Sequence, residues 1–110
     1  MSNIKFFLFG KFQIEADGLI YKLETHKAEE LLVFLLLNRS QAHTREHLAD
    51  VLWGEISPDQ SKGYLRKALW QLQSVLEPIC GKDLLVVDAE WIQLNPRFKC
   101  WLDKIGRAHV

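Results

Sequence analysis

The 110 residues carry 14 Lys+Arg against 14 Asp+Glu, so the formal net charge is zero, and 48 % of positions are hydrophobic against 25 % charged. That balance fits one ordinary globular domain with a single core, and it argues against bulk attraction to polyphosphates, which rests on neutralising many phosphates at once. The longest apolar run, Leu31 to Leu37, is seven residues, far short of the roughly 20 that cross a bilayer, and no secretory leader is present, so the expected compartment is the cytoplasm with no membrane contact.

The chain opens with β-prone residues from Ile4 to Phe9, interrupted at Gly10-Lys11. Phe12, Ile14 and Ala16 then alternate with Gln13 and Glu15, the period-2 mark of a half-buried strand. Asp17-Gly18 supplies a tight turn, and Leu19-Ile20-Tyr21 a third strand. The period next changes to that of a helix. Ala28, Leu31, Leu32, Leu35 and Leu36 fall on one face, with Thr25 as N-cap and Asn38-Arg39-Ser40 as the stop. A shorter helix follows Thr44, with Leu48, Val51 and Leu52 as its apolar side and Trp53-Gly54 at its end.

The third helix has the strongest start signal. Ser57-Pro58-Asp59-Gln60 reads as a capping box with proline at the first helical position. Its core stripe is Leu65, Ala68, Leu69, Leu72 and Leu76, and Pro78 is expected to close it, with Gly81 just beyond. Leu84 to Val87 and Trp91 to Leu94 flank Asp88-Ala89-Glu90 and read as a hairpin ended by Asn95-Pro96. Two consecutive helices followed by a hairpin make a helix-turn-helix with a wing. The expected fold is therefore α+β, a winged helix with an N-terminal antiparallel sheet, three helices and a C-terminal hairpin.

Catalysis and cofactors find no residue set. The chain has no glycine-rich phosphate loop, no Ser/His/Asp group and no carboxylate pair in a recognisable context, so it reads as no enzyme. His26, His43 and His47 sit on different elements without ligand spacing, and no metal site is expected. Cys80 and Cys100 match neither a zinc module nor a disulfide framework and read as small buried residues.

Several segments together resemble a known family. Lys27-Ala28 through Leu31-Leu32, Thr44-Arg45-Glu46-His47-Leu48, Leu52-Trp53 and Leu65-Arg66-Lys67-Ala68-Leu69-Trp70-Gln71-Leu72 resemble the OmpR/PhoB-type winged helix. Leu94-Asn95-Pro96 followed by Trp101-Leu102-Asp103 is similar to the branch that heads SARP-like activators, and the likeness spans Ile4 to about Asp103. The resemblance implies a four-stranded N-terminal sheet, a third helix in the major groove of double-stranded DNA, and a hairpin reaching toward the minor groove. It also implies a bacterial transcription regulator binding as a homodimer or a tandem pair on direct repeats. In that branch an all-helical activator domain follows, whereas response-regulator relatives carry the module after a receiver domain. Residues 1–103 are read as this domain. Residues 104–110, ending Ile105-Gly106-Arg107-Ala108-His109-Val110, are read as a non-native tail whose last six residues match a translated adapter oligonucleotide.

On a helical wheel the third helix places Lys62, Gly63, Arg66, Lys67, Trp70, Gln73 and Ser74 opposite its core stripe. Between Gln60 and Gln73 there are three basic residues and no acid, so charge is segregated although the total is zero. Lys62 and Arg66 would meet the groove, Arg66 through a bidentate guanine contact, and Lys67 a phosphate. Arg45 and the amides after Thr44 would anchor the DNA backbone, and the first helix would do the same through Lys27. Gln73 stands where the family commonly has arginine, which weakens a phosphate contact there. Gly63 stands where the family usually has a polar residue. A mid-helix glycine costs about 1 kcal/mol against alanine, which close approach of the backbone to DNA or protein would account for. Trp70 could stack on DNA, but it is expected to pack under the hairpin against Trp91; Trp53 and Trp101 are expected in the core or at a domain boundary. The hairpin tip is acidic, so insertion of a basic side chain there is not expected. The competing reading is a protein-interaction module docking on RNA polymerase or on a missing effector domain.

Overall fold

The computed structural model describes residues 4–7, 12–39, 41–81, 84–95 and 101–103, with the backbone alone for Cys80 and 101–103. The architecture is α+β: strands β1 (Ile4–Phe7), β2 (Gln13–Ala16) and β3 (Leu19–Tyr21), then helix α1 (His26–Leu37). There follow β4 (His43–Thr44), α2 (Arg45–Trp53), α3 (Pro58–Cys80), β5 (Leu85–Val87), β6 (Trp91–Leu94) and β7 (Trp101–Asp103). The described strands form two sheets. One has the order β3-β2-β1-β7 and the other β4-β6-β5.

In the first sheet alternation sets the register. Ile4 and Phe6 of β1 and Ile14 and Ala16 of β2 are buried, and Ile4 pairs with Ala16 and Phe6 with Ile14. Asp17 and Gly18 turn the chain with positive φ, 52° and 81°, the backbone that two-residue hairpin loops need. The N-terminal strands alone do not complete this sheet. Its fourth strand is β7, which returns from the far end of the chain and pairs parallel to β1, Phe6 opposite Leu102. The sheet is thus mixed, and its parallel pair spans a long crossover that contains all three helices. Leu19 and Ile20 of β3 are 60 % and 56 % exposed, so this strand is apolar in sequence without being buried.

The helices close over the core by their predicted stripes. Ala28, Leu31, Leu32, Leu35 and Leu36 of α1 and Leu65, Ala68, Leu69, Leu72 and Leu76 of α3 are all buried, each leucine contributing about 1.5–3 kcal/mol by its removal from water. Thr25 caps α1 by accepting from the Ala28 N–H at 3.2 Å, and Thr44 caps α2 by accepting from His47 at 3.0 Å. At the far end of α1 the Asn38 N–H and side-chain amide both donate to the Phe34 carbonyl.

Three local expectations are corrected. In α2 the third apolar position is Ala49, while Val51 is 45 % exposed, because the core lies toward 48, 49 and 52 rather than 51. The capping box of α3 does not form: Ser57 makes no side-chain cap bond, and the helix start rests on Pro58, whose ring presets helical φ. Ser61 occupies this end, its N–H on the Ser57 carbonyl and its hydroxyl on that of Pro58. Pro78 does not close α3. The helix runs on to Cys80 and stops at Gly81, whose φ of 74° leaves the helical region while its N–H still reaches Glu77 O. A proline so near the end removes a single internal bond. The described part of the first strand is Ile4–Phe7, and Leu8 to Lys11 lie outside the described residues, as do Ser40, Pro96 to Cys100 and the tail 104–110. Among the described residues no helix is long and apolar enough to cross a membrane.

Candidate nucleic-acid interface

Three elements converge on one end of the molecule: the start of α2, the first turns of α3, and the β5–β6 turn. Their junction is built on short β4. His43 and Thr44 pair with Ile92 and Trp91, which fixes the hairpin directly to the residue that caps α2. Arg45 extends the link, donating from its backbone N–H to Glu90 O at 3.0 Å and from Nε to Asp88 O at 3.0 Å. The tip is rigidified internally, since the Asp88 N–H reaches Trp91 O at 2.8 Å and the Asp88 carboxylate accepts from the Glu90 N–H at 3.2 Å.

Between these elements lies a cleft of about 480 Å³ whose polar lining is Thr44, Arg45, Glu46, Lys62, Arg66 and Glu90. Its charge is mixed, two acids against three bases. Beyond the cleft, α3 turns Lys62, Gly63, Arg66, Lys67 and Trp70 to solvent, with Gln73 half-buried. Lys62, Arg66 and Lys67 have no hydrogen-bonding or ion-pair partner among the described residues. Trp70 is 63 % exposed and Trp91 45 %, with no ring contact between them. The expected packing of Trp70 under the hairpin is therefore corrected: Trp70 projects with the cations of α3, because Ile92 and Leu94, not Trp91, are the inward residues of β6.

The remaining site candidates are separated from this end. Lys27 does not stand free on α1. Its ammonium donates to the Leu52 carbonyl at 2.7 Å, lies 3.4 Å from the Glu30 carboxylate and sits 5.7 Å over the Trp53 ring. It thereby satisfies a terminal carbonyl of α2 and complements that helix's negative end. Trp53 is half-buried against the core, as expected of it, with Tyr64 tilted beside it at 6.1 Å; the side chain of Trp101 and both cysteine side chains lie outside the described residues. His43 and His47 do meet, rings stacked at 6.4 Å against Phe34, while His26 pairs with Glu29 on α1. Among the described residues no group of three His, Cys, Asp or Glu is placed to hold a metal ion.

One polar residue was not legible in the sequence. Gln71 is buried at 5 % exposure, accepting from the Thr25 hydroxyl at 2.8 Å and donating to the Glu24 carboxylate at 3.4 Å. Its neighbour Leu72 carries the apolar period, and nothing local reveals that the start of α1 packs over position 71. A second cleft, about 430 Å³, opens between α2 and α3 and is lined by Glu46, Asp50, Trp53 and Lys62 among others. No family model and no curated protein matches this chain.

Proposed function

We propose that this chain is a winged-helix module that binds double-stranded DNA sequence-specifically for a bacterial transcription regulator, α3 lying in the major groove. The observation that carries the reading is the outward face of α3. Lys62, Arg66 and Lys67 are exposed and unpartnered among the described residues, and no acid stands between Gln60 and Ser74. A neutral protein thus offers concentrated positive charge where a helix of groove-fitting width is exposed. The order α2, α3, hairpin supports the helix-turn-helix and wing assignment, with α2 across the DNA backbone.

In this reading Arg66 pairs with a guanine edge, worth roughly 1–3 kcal/mol of discrimination, and Lys67 takes a phosphate. Arg45 anchors the backbone through the Nη nitrogens that its bond to Asp88 leaves free, since the Arg45 and His47 amides are already taken by Glu90 O and the Thr44 hydroxyl. The hairpin, acidic at Asp88 and Glu90, acts by holding α2 and not by entering the minor groove. Lys27, engaged on Leu52, serves the fold rather than the DNA.

Arg66→Ala with Lys67→Ala tests this. The double variant should bind duplex DNA more weakly, and its salt dependence should flatten by about 0.9 log units for each phosphate that is no longer neutralised. Unchanged affinity overturns the assignment. A second reading, a module docking on a protein such as RNA polymerase, is favoured by one observation, the cleft bordered by Glu46 and Asp50. Asp50→Asn, at an acid that lines this cleft and not the one beside the hairpin, should then weaken partner capture while leaving duplex affinity intact.

A further inference from the structure

Gly63 is a residue for which the fold gives no reason. It lies inside α3 with an ordinary helical backbone, and a β-carbon built on it meets no atom within 4 Å. Glycine is among the poorest helix formers, and any side chain would fit this position in the isolated domain. The other described glycines answer to a local demand: Gly18 and Gly81 have positive φ, and a β-carbon at Gly54 would lie 2.7 Å from Asp50 O.

The position is as informative as the space. At about 100° per residue, Gly63, Lys67, Trp70 and Ser74 run along the line of α3 that points away from the buried Leu65, Leu69 and Leu72. Lys62 and Arg66 flank that line on the cleft side. The helix is therefore bare at the centre of its basic face, and the exposed Trp70 begins two turns further on. A side-chain-bearing helix is roughly 10–12 Å across and the major groove roughly 12 Å wide, so a missing side chain on the leading edge lets the backbone seat deeper. The charge on α3 itself narrows the occupant: three unpartnered cations and no acid on this face fit a polyanion and not a basic or apolar partner.

We propose that Gly63 is the point at which the α3 backbone comes closest to the DNA, the bare step allowing Lys62 and Arg66 on one side and Lys67 on the other to reach the duplex together. This rests on the DNA-binding reading above and adds to it a residue that acts by having no side chain.

The experiment first selects a bound sequence for the full chain from duplexes with a randomised core. Gly63→Ala and Gly63→Leu are then titrated against that duplex by fluorescence anisotropy and melted by circular dichroism. Both variants should melt at or above the wild-type temperature, since both residues favour helix. Both should bind more weakly, alanine by about tenfold and leucine by more, as an intruding group does at a close-packed contact. Opposed trends in stability and affinity are a signature that a purely structural glycine would not give. Wild-type affinity in the two stabilised variants overturns the role of Gly63 while leaving DNA binding in place. Failure of the wild-type chain to select any duplex overturns the DNA-binding reading, and the role of Gly63 with it.

Discussion

Arg45 and Asp88, 43 residues apart, are joined by a 3.0 Å bond from the guanidinium Nε to the backbone carbonyl. With the Arg45 N–H on Glu90 O, the first residue of α2 is fastened twice to the turn of the β5–β6 hairpin. The side-chain bond leaves both Nη nitrogens without a partner among the described residues, so one arginine can hold the hairpin and still face the cleft it lines.

Replacing Arg45 with alanine should therefore have two separable effects. The bond is exposed, so stability should fall by only about 0.5–1 kcal/mol in denaturant unfolding. Amide hydrogen exchange at Asp88 should accelerate, because the turn loses its side-chain tether, while amides in the β1–β2 ladder should exchange at the wild-type rate. An Asp88 exchange rate equal to wild type would show that the guanidinium does not hold the turn.

Lys27 gives the opposite expectation for a basic residue that sequence alone placed near DNA. Its ammonium is committed to Leu52 O and to the Trp53 ring. Lys27→Met keeps most of the aliphatic stem and deletes the charge, and it should lower stability by about 1–2 kcal/mol through removal of the charged hydrogen bond. The salt dependence of duplex binding should stay at the wild-type slope. A slope reduced by about 0.9 would mean that Lys27 meets a phosphate after all.

These two residues mark how far the sequence could be read. The stripes of α1 and α3 were legible because each repeats a 3.6-residue period over several turns, and every named core position of both is buried. The caps Thr25 and Thr44 were legible because capping is local chemistry. What escaped was non-local. Strand β4 is two residues long, too short to show a period, and exists only because β6 lies beside it. Strand β7 completes the first sheet from nearly a hundred residues away in sequence. On α3 the helical period identified the basic residues and their common face, but it could not distinguish Lys62 and Arg66, which are unpartnered among the described residues, from Lys27, which is not. Nor could periodicity place Trp70: a tryptophan opposite a leucine stripe suggests cover, and the hairpin turns a different face toward the core.

Gly54 and Gly63 bracket the start of α3 and should respond in opposite directions to the same change. At Gly54 an added β-carbon would lie 2.7 Å from the Asp50 carbonyl oxygen, closer than real β-carbons approach backbone. The turn between α2 and α3 would have to shift. Gly54→Ala should destabilise by about 1–3 kcal/mol, the range for forcing a group into filled space, and thermal melting should show it as a lower midpoint. A raised midpoint would mean that the turn relaxes at no cost.

The Thr25 hydroxyl performs two tasks at once, accepting from the Ala28 N–H at 3.2 Å and donating to Gln71 Oε1 at 2.8 Å. It thereby links the N-terminus of α1 to the middle of α3, and Gln71 continues the chain to the Glu24 carboxylate. Thr25→Ala removes the cap and orphans a buried amide oxygen, so it should cost about 1–2 kcal/mol. Thr25→Ser keeps the hydroxyl and should recover most of it. Gln71→Ala alone removes the buried amide and should spare the cap. Because the two residues share a bond, the double variant should be less destabilised than the sum of the singles, by about 0.5–1.5 kcal/mol. Simple additivity in that cycle would reduce Thr25 to a helix cap and leave Gln71 without a role in joining α1 to α3.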